Sequence, residues 1–192
     1  EKDPSEKWIL AAAKALESIA KKRKNSRDIP ADHWALLATA KLLAIADKDE
    51  LPVARELLVN HAIQICESIL KDQILNPEEP ALNGGFSADG RTTPTSTRLE
   101  GLLAARNILP AKHETSKRID AAVARGMAFL LRAQIRDGKY IGAFPRSTGK
   151  LANDIAGAAK FNRRATEVRI DYVQHALSAM IQYVQQTNAQ SS

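Results

Sequence analysis

The sequence predicts an all-α protein built from three helical pairs. Three observations carry that expectation. All 9 glycines lie between Gly84 and Gly157, leaving a long N-terminal stretch without one. Apolar residues recur at helical spacing over six segments, and no stretch alternates as a strand would. Short motifs return roughly sixty residues further along, the mark of an internal repeat.

The first helix is expected to open at Asp3 as N-cap, with Pro4 in the first turn and Glu6 as capping-box acid. Its stripe is Trp8, Ile9, Ala12, Ala13, Leu16 and Ile19. It ends in Lys21-Lys22-Arg23-Lys24, where cations suit the helix dipole. A second helix, from Pro30 to about Ala46, is apolar nearly all round, which predicts burial on most sides. A third starts after Asp49 and runs from Pro52 to about Ile74, with a stripe of Ala54, Leu57, Leu58, His61, Ala62, Ile65 and Ile69. His61 on that stripe reads as a core histidine.

A Gly/Pro/Thr-rich loop over 76–95 separates the third helix from a fourth, Thr97 to Ile108, with Thr97 and Glu100 at capping-box spacing and Pro110 closing it. A fifth runs from about Glu114 to Ile135, with His113 near its cap. A second long loop covers Arg136 to Arg164, and within it the Ala/Gly/Asn-rich segment 149–164, with a basic end at Arg163-Arg164, reads either as a mobile lid or as a poorly ordered stretch. The sixth helix is expected from about Thr166 to Gln185.

The repeat sets the architecture. Ile69-Leu70-Lys71-Asp72-Gln73-Ile74 returns as Leu130-Leu131-Arg132-Ala133-Gln134-Ile135. Gly84-Gly85-Phe86 returns as Gly142-Ala143-Phe144, and Arg98-Leu99-Glu100 as Arg169-Ile170-Asp171. Each unit is a helix, a loop and a more apolar helix with a polar first turn. The first, third and fifth helices, each with one apolar stripe, form an outer layer. The second, fourth and sixth form an inner one. The polar first turns then gather at one end, where the loops surround a shared pocket.

Composition narrows the function classes. With 192 residues, 44% hydrophobic and 26% charged, the chain can bury one sizeable core as a single domain over 1–192. No apolar run is long enough to span a bilayer, and no secretory leader pattern opens the sequence. A net charge of +6 without a basic recognition helix or zinc knuckle argues against nucleic acid. The single Cys66 excludes an internal disulfide and a cysteine zinc site; it fits either redox compartment.

Candidate chemistry gathers where the inner helices begin: Asp32-His33-Trp34, Thr97-Arg98-Leu99-Glu100, and Arg169-Ile170-Asp171-Tyr172 continuing to His175. Asp171 and His175 stand four apart and share a helix face, so a carboxylate could orient an imidazole for acid/base work. His175, Asp171 and His33 are therefore the candidate catalytic groups, and His33 with Asp32 would add metal-capable ligands, although no metal or other cofactor is assigned. Arg98, Glu100, Arg169, Tyr172 and Trp34 are candidate ligand contacts, the arginines for an anion and Trp34 for stacking on a sugar ring. Arg91 and Arg146 in the loops join them. The competing structural reading has Arg98 pairing with Asp171 or Glu100 to tie the inner helices together.

The segment Ala128-Phe129-Leu130-Leu131-Arg132-Ala133-Gln134 before Gly142-Ala143-Phe144-Pro145, with Gln73 before Gly84-Gly85-Phe86, resembles the helix-end glutamine and Gly-x-aromatic turn of the α/α-toroid superfamily. That superfamily holds six-hairpin glycosidases, polysaccharide lyases, N-acylglucosamine epimerase-like enzymes and terpenoid cyclases. The resemblance covers Ile69 to Ala179. It implies an α/α toroid, and it implies that Phe86 and Phe144 rim the pocket; the residue pattern alone also allows both rings to plug the gap between helices. Three pairs are fewer than a closed ring uses. The expectations are the C-terminal part of a longer toroid, a ring completed by a partner chain, or an open array. The Asp-rich motif of the terpenoid cyclases and the zinc ligands of the lanthionine cyclases are both missing.

The function expected is binding or processing of an acidic or hydroxyl-rich glycan at the N-terminal ends of the inner helices, without nucleic acid or membrane. The alternative is a non-catalytic helical protein-interaction module. A cyclase-like isoprenoid binder is a third reading.

Overall fold

A computed structural model describes residues 4–45, 51–76 and 78–190. These residues form α1 (Pro4–Arg23), α2 (His33–Ile45), α3 (Arg55–Lys71), α4 (Thr92–Arg106), α5 (Glu114–Ala133), α6 (Ala158–Asn162) and α7 (Ile170–Gln190). Among the described residues there is no strand; the loops add two isolated antiparallel bridges, Arg91 with Ser147 and Pro145 with Val168. The all-α expectation holds. No described helix is long and apolar enough to cross a membrane.

The helices pack in two rows. In one, α4 lies between α2 and α7, its two most extensive neighbours; in the other, α3 lies between α1 and α5. Side-chain contacts give the directions. His175 meets Glu100 while Gln186 reaches Leu103 and Asn107, so α7 and α4 run parallel. Glu67 meets Thr115 and Arg118 while Gln73 reaches Ala122, so α3 and α5 also run parallel. Between the rows the sense reverses, because Arg106 pairs with Asp120 while Leu99 lies against Gly126. Leu36, Leu58, Ile65, Leu99, Leu102 and Phe129, all fully buried, anchor the core.

The repeated turns hold their helices in the same way. After α3, Gln73 Nε2 donates to the Gly84 carbonyl at 3.0 Å, Ile74 N–H donates to Gly85 O, and Gly84 N–H donates to Ile74 O. After α5, Gln134 Nε2 donates to Gly142 O at 2.9 Å, Ile135 N–H to Ala143 O and Gly142 N–H to Ile135 O. The motif repetition in the sequence is thus a repetition of hydrogen bonds. Gln73 is the more engaged, donating also to Ala122 O and accepting from Arg125 Nε.

Several boundaries move. Asp3, the expected cap of α1, lies outside the described residues, as do Ala46 and Asp49. The α1 stripe turns by about one position: Ala13, Leu16 and Ala20 are buried, while Trp8 is 70% exposed. Helix α4 starts at Thr92, so Thr97 is an interior residue whose hydroxyl donates back to Thr93 O and is not an N-cap. Pro94 fits there because a first-turn residue needs no N–H partner. Helix α7 starts at Ile170, and α6 is an unanticipated helix inside the second loop, where Asn162 exchanges two hydrogen bonds with the Leu151 backbone. His113 is half-buried and caps α5, its Nδ1 accepting from Thr115 N–H at 3.2 Å. Helix α2 is not buried on most sides: Trp34 and Ile45 are each 63% exposed.

Two buried polar residues are structural. His61 is 2% exposed in the core of α3, and burial lowers its pKa below the ordinary 6.5. Cys66 is fully buried, which pushes its thiol up to about 12.

Candidate functional site

Three helices bring the site together. Asp32 caps α2: its Oδ1 accepts Ala35 N–H at 3.1 Å and its Oδ2 takes the Arg23 guanidinium at 2.9 Å. Those bonds occupy the carboxylate and fix the first turn of α2, which begins with His33. His33 lies directly against Gly101 of α4, where any added Cβ would come within 2.9 Å of the His33 Cβ. The first turns of α4, carrying the half-buried Thr93, Thr97 and Arg98, therefore project beyond the start of α2 as a shelf. From the other side α7 delivers His175, whose Nδ1 is 2.8 Å from Glu100 Oε2, with the glutamate side chain only 7% exposed.

Above this pair stands Trp34. Its ring lies 4.8 Å from the His33 ring and 6.4 Å, edge-on, from the His175 ring. Burial lowers the pKa of His33, the neighbouring Glu100 charge opposing the shift. A neutral imidazole with a free nitrogen results, and His33 Nε2 is buried without a hydrogen-bond partner. Thr93 Oγ1 and Arg98 Nε are likewise buried and unpartnered on the α4 shelf. Buried polar atoms normally find partners; among the described residues His61 Nε2, in the core of α3, and Asp171 Oδ1, on α7, are the other unpartnered ones, and Arg98 is close enough to His33 for its charge to act on that ring.

The remaining candidates divide. Arg98 does not pair with Asp171 or Glu100, as the structural reading held; its Nη1 donates to Pro94 O at 3.3 Å within its own helix. Asp171 shares the His175 face of α7, but its partner is Arg169, Nε to Oδ1 at 3.2 Å, and that oxygen forms no aligned hydrogen bond. The pair is about half exposed, the class of ion pair worth at most about 1 kcal/mol. Tyr172 is buried beneath the Arg169 guanidinium, 5.6 Å from the ring centre.

Phe86 and Phe144 are not at a pocket rim. Both are buried in the core at the turns that follow α3 and α5, so they plug the gap between helices. Arg91 turns back onto Asp89 at 2.8 Å. The Arg146 guanidinium stands over the Phe161 ring, 4.6 Å from its centre, and reaches the Phe161 carbonyl. These two belong to the loop surface beside the site, where Arg164 and Glu167 form a further ion pair. The charges of Arg164, Arg169 and Arg146 all act on Glu167 and hold its carboxyl below the usual range, led by its hydrogen bond from Arg164. Among the described residues, no three His, Cys, Asp or Glu side chains are placed to hold a metal ion.

Thr93 is one of the residues Asp89, Arg91, Thr92 and Thr93 that the sequence offers as a loop after Gly84-Gly85-Phe86, but Thr92 and Thr93 lie in the first turn of α4. Sequence reasoning missed that Glu100, rather than Asp171, is the carboxylate on His175. Only the packing of α4 against α7 reveals that partner.

No family model, curated protein or solved structure matches this chain.

Proposed function

We propose that this chain is a three-pair α/α-hairpin domain of the toroid type that binds a hydroxyl-rich or acidic glycan on the α4 shelf, with Glu100 and His175 as an acid/base pair. The fold part of the reading is supported by two parallel rows of opposite sense and by the matching hydrogen bonds of the Gln73 and Gln134 turns. The functional part rests on one observation: an exposed indole, Trp34, stacks beside the His33 ring, whose buried Nε2 has no hydrogen-bond partner, and stands edge-on to His175. Sugars present exactly such complementary faces, apolar C–H on one side and hydroxyls around the rim. An aromatic plane supplies the stacking surface. Unpartnered donors and acceptors supply orientation once a ligand satisfies them.

Within this reading His33, kept neutral by burial, accepts or donates one hydrogen bond to a hydroxyl. Arg98 takes a carboxylate where the sugar carries one. His175, oriented by Glu100, exchanges a proton with the ligand, and reprotonates from solvent through its exposed edge.

A thermal-shift panel tests this: uronic acids, neutral oligosaccharides, peptides, isoprenoid diphosphates and divalent metals. A ligand at about 100 times its Kd adds about 2.7 kcal/mol. For a chain of this size that is a rise of roughly 5–10 °C. The expected outcome is a rise with a saccharide class that Trp34→Ala abolishes. A rise confined to peptides, diphosphates or metals, or none at all, contradicts it.

A further inference from the structure

Helix α7 ends its row, and the side turned away from α4 has no described neighbour of comparable extent. Ile170, Leu177, Ile181 and Val184 lie on that side, 82%, 52%, 48% and 53% exposed. Three of them recur every seven residues, and Ile181 sits between. A seam repeating at seven is the pattern by which one helix packs along another. The side facing α4 carries the complementary set: Tyr172, Ala176 and Ala179 are buried there. The two middle helices, α3 and α4, expose no large hydrophobic side chain among the described residues. Exposed aliphatic surface on the helices is therefore confined to the ends of the rows, where a neighbour is missing.

Charge selects the occupant. The chain carries +6 overall, yet α7 has no Lys, Arg or Glu, and its one aspartate, Asp171, lies on another face paired with Arg169. Two copies can approach through this seam without opposing cations. The exposed end at Trp8 and Leu10 of α1 differs: that helix carries Lys7, Lys14, Lys21, Lys22 and Arg23 against Glu6 and Glu17, so self-docking there would oppose like charges. A strongly charged partner, in turn, would find nothing on α7 to pair with.

We propose that α7 is a self-association surface, through which two copies of this chain form a two-fold dimer. A two-fold axis crossing a helix sets the two helices antiparallel, and an isologous contact must be complementary to itself. With the axis at Leu177, Ile170 of one copy meets Val184 of the partner subunit, and Leu177 meets its own equivalent. The surface is distinct from the glycan shelf, whose His175 lies on the α4 side of the helix, so the dimer and the binding site stand or fall separately.

The test is mass in solution by light scattering or sedimentation over a dilution series. Wild-type protein is expected to approach twice the 21.0 kDa chain mass at high concentration. Its dimerisation should persist in high salt, because no ion pair lies in the seam. L177E combined with I181E should leave a monomer with unchanged helical circular dichroism, since both side chains are about half exposed. W8E should leave the dimer intact. A cysteine at the axis, in L177C, should oxidise to a disulfide-linked dimer, and the buried Cys66 will not compete. A wild-type monomer at every concentration overturns the proposal, whatever other protein it binds. So does a dimer that survives L177E/I181E.

Discussion

Gly84→Ala should cost about 3 kcal/mol or more, while the same change at Gly142 should cost only about 1–2 kcal/mol. The two glycines occupy equivalent places in the repeated turn and share its hydrogen bonds. Both have left-handed backbones, φ +87° and +85°. Each therefore carries the conformational penalty of an L-residue in that region. They differ in surroundings. A Cβ on Gly84 would fall 2.4 Å from the Arg125 carbonyl oxygen and 2.9 Å from its carbon, both rigid backbone of α5. A Cβ on Gly142 would meet nothing within 4 Å. Relieving the first clash means moving the turn off α5, which also breaks the Gln73 bonds to Gly84 O and Ala122 O. For a protein of this size, about 2–4 °C of Tm accompanies each kcal/mol. Parallel melts of G84A and G142A check the difference, and equal losses would mean the turn after α3 does not pack on α5 as described.

The second large effect is expected at the buried pair. His175→Ala removes the hydrogen bond to the side chain of Glu100, a residue 5% exposed, and should destabilise the protein by about 1–3 kcal/mol, the cost of a buried acceptor left without a partner. The cause is the uncompensated carboxylate rather than the lost imidazole. The combined variant H175A/E100Q should accordingly be more stable than H175A alone, because the amide carries no charge to strand. Urea or thermal unfolding of the single and double variants gives the coupling. Additive losses would show that the two groups do not act on each other.

The fold was legible where one face of a helix is buried and the other is wet. Of the α3 stripe, Leu58, His61, Ala62, Ile65 and Ile69 are buried while Ala54 is exposed and Leu57 half-buried; of the residues that recur at helical spacing on α5, Ile119, Ala122, Val123, Met127 and Leu130 are buried while Leu131 is 50% exposed. Periodicity failed where polar side chains are buried by loops. Thr92, Thr95 and Ser96 are all fully buried: Thr92 donates to Pro145 O, Thr95 accepts from Phe86 N–H, and Ser96 donates to Thr92 O. A run of hydroxyls satisfied by another loop looks like a loop itself, so the first turn of α4 was hidden.

Apolar content misled in the opposite sense. Helices α2 and α7 are rich in aliphatic residues, which implies burial, yet both end the row and leave part of that surface open. Of the site, the residue types and their common end of the fold could be read from the repeat. The pairing could not: Glu100 and His175 lie 75 residues apart, and nothing local distinguishes Glu100 from Asp171 as the partner. The role of Trp34 likewise turns on exposure, which its place in an apolar helix concealed.

The most direct test is a tryptophan fluorescence titration. The chain has 2 tryptophans, Trp8 and Trp34, so W8F reports on Trp34 alone and W34F on Trp8 alone. Titrated with the saccharide that raises Tm most, W8F should show a saturable change in emission, and W34F should show none. A saturable change in W34F with a silent W8F would place the ligand away from the His33–Glu100–His175 shelf and contradict the account.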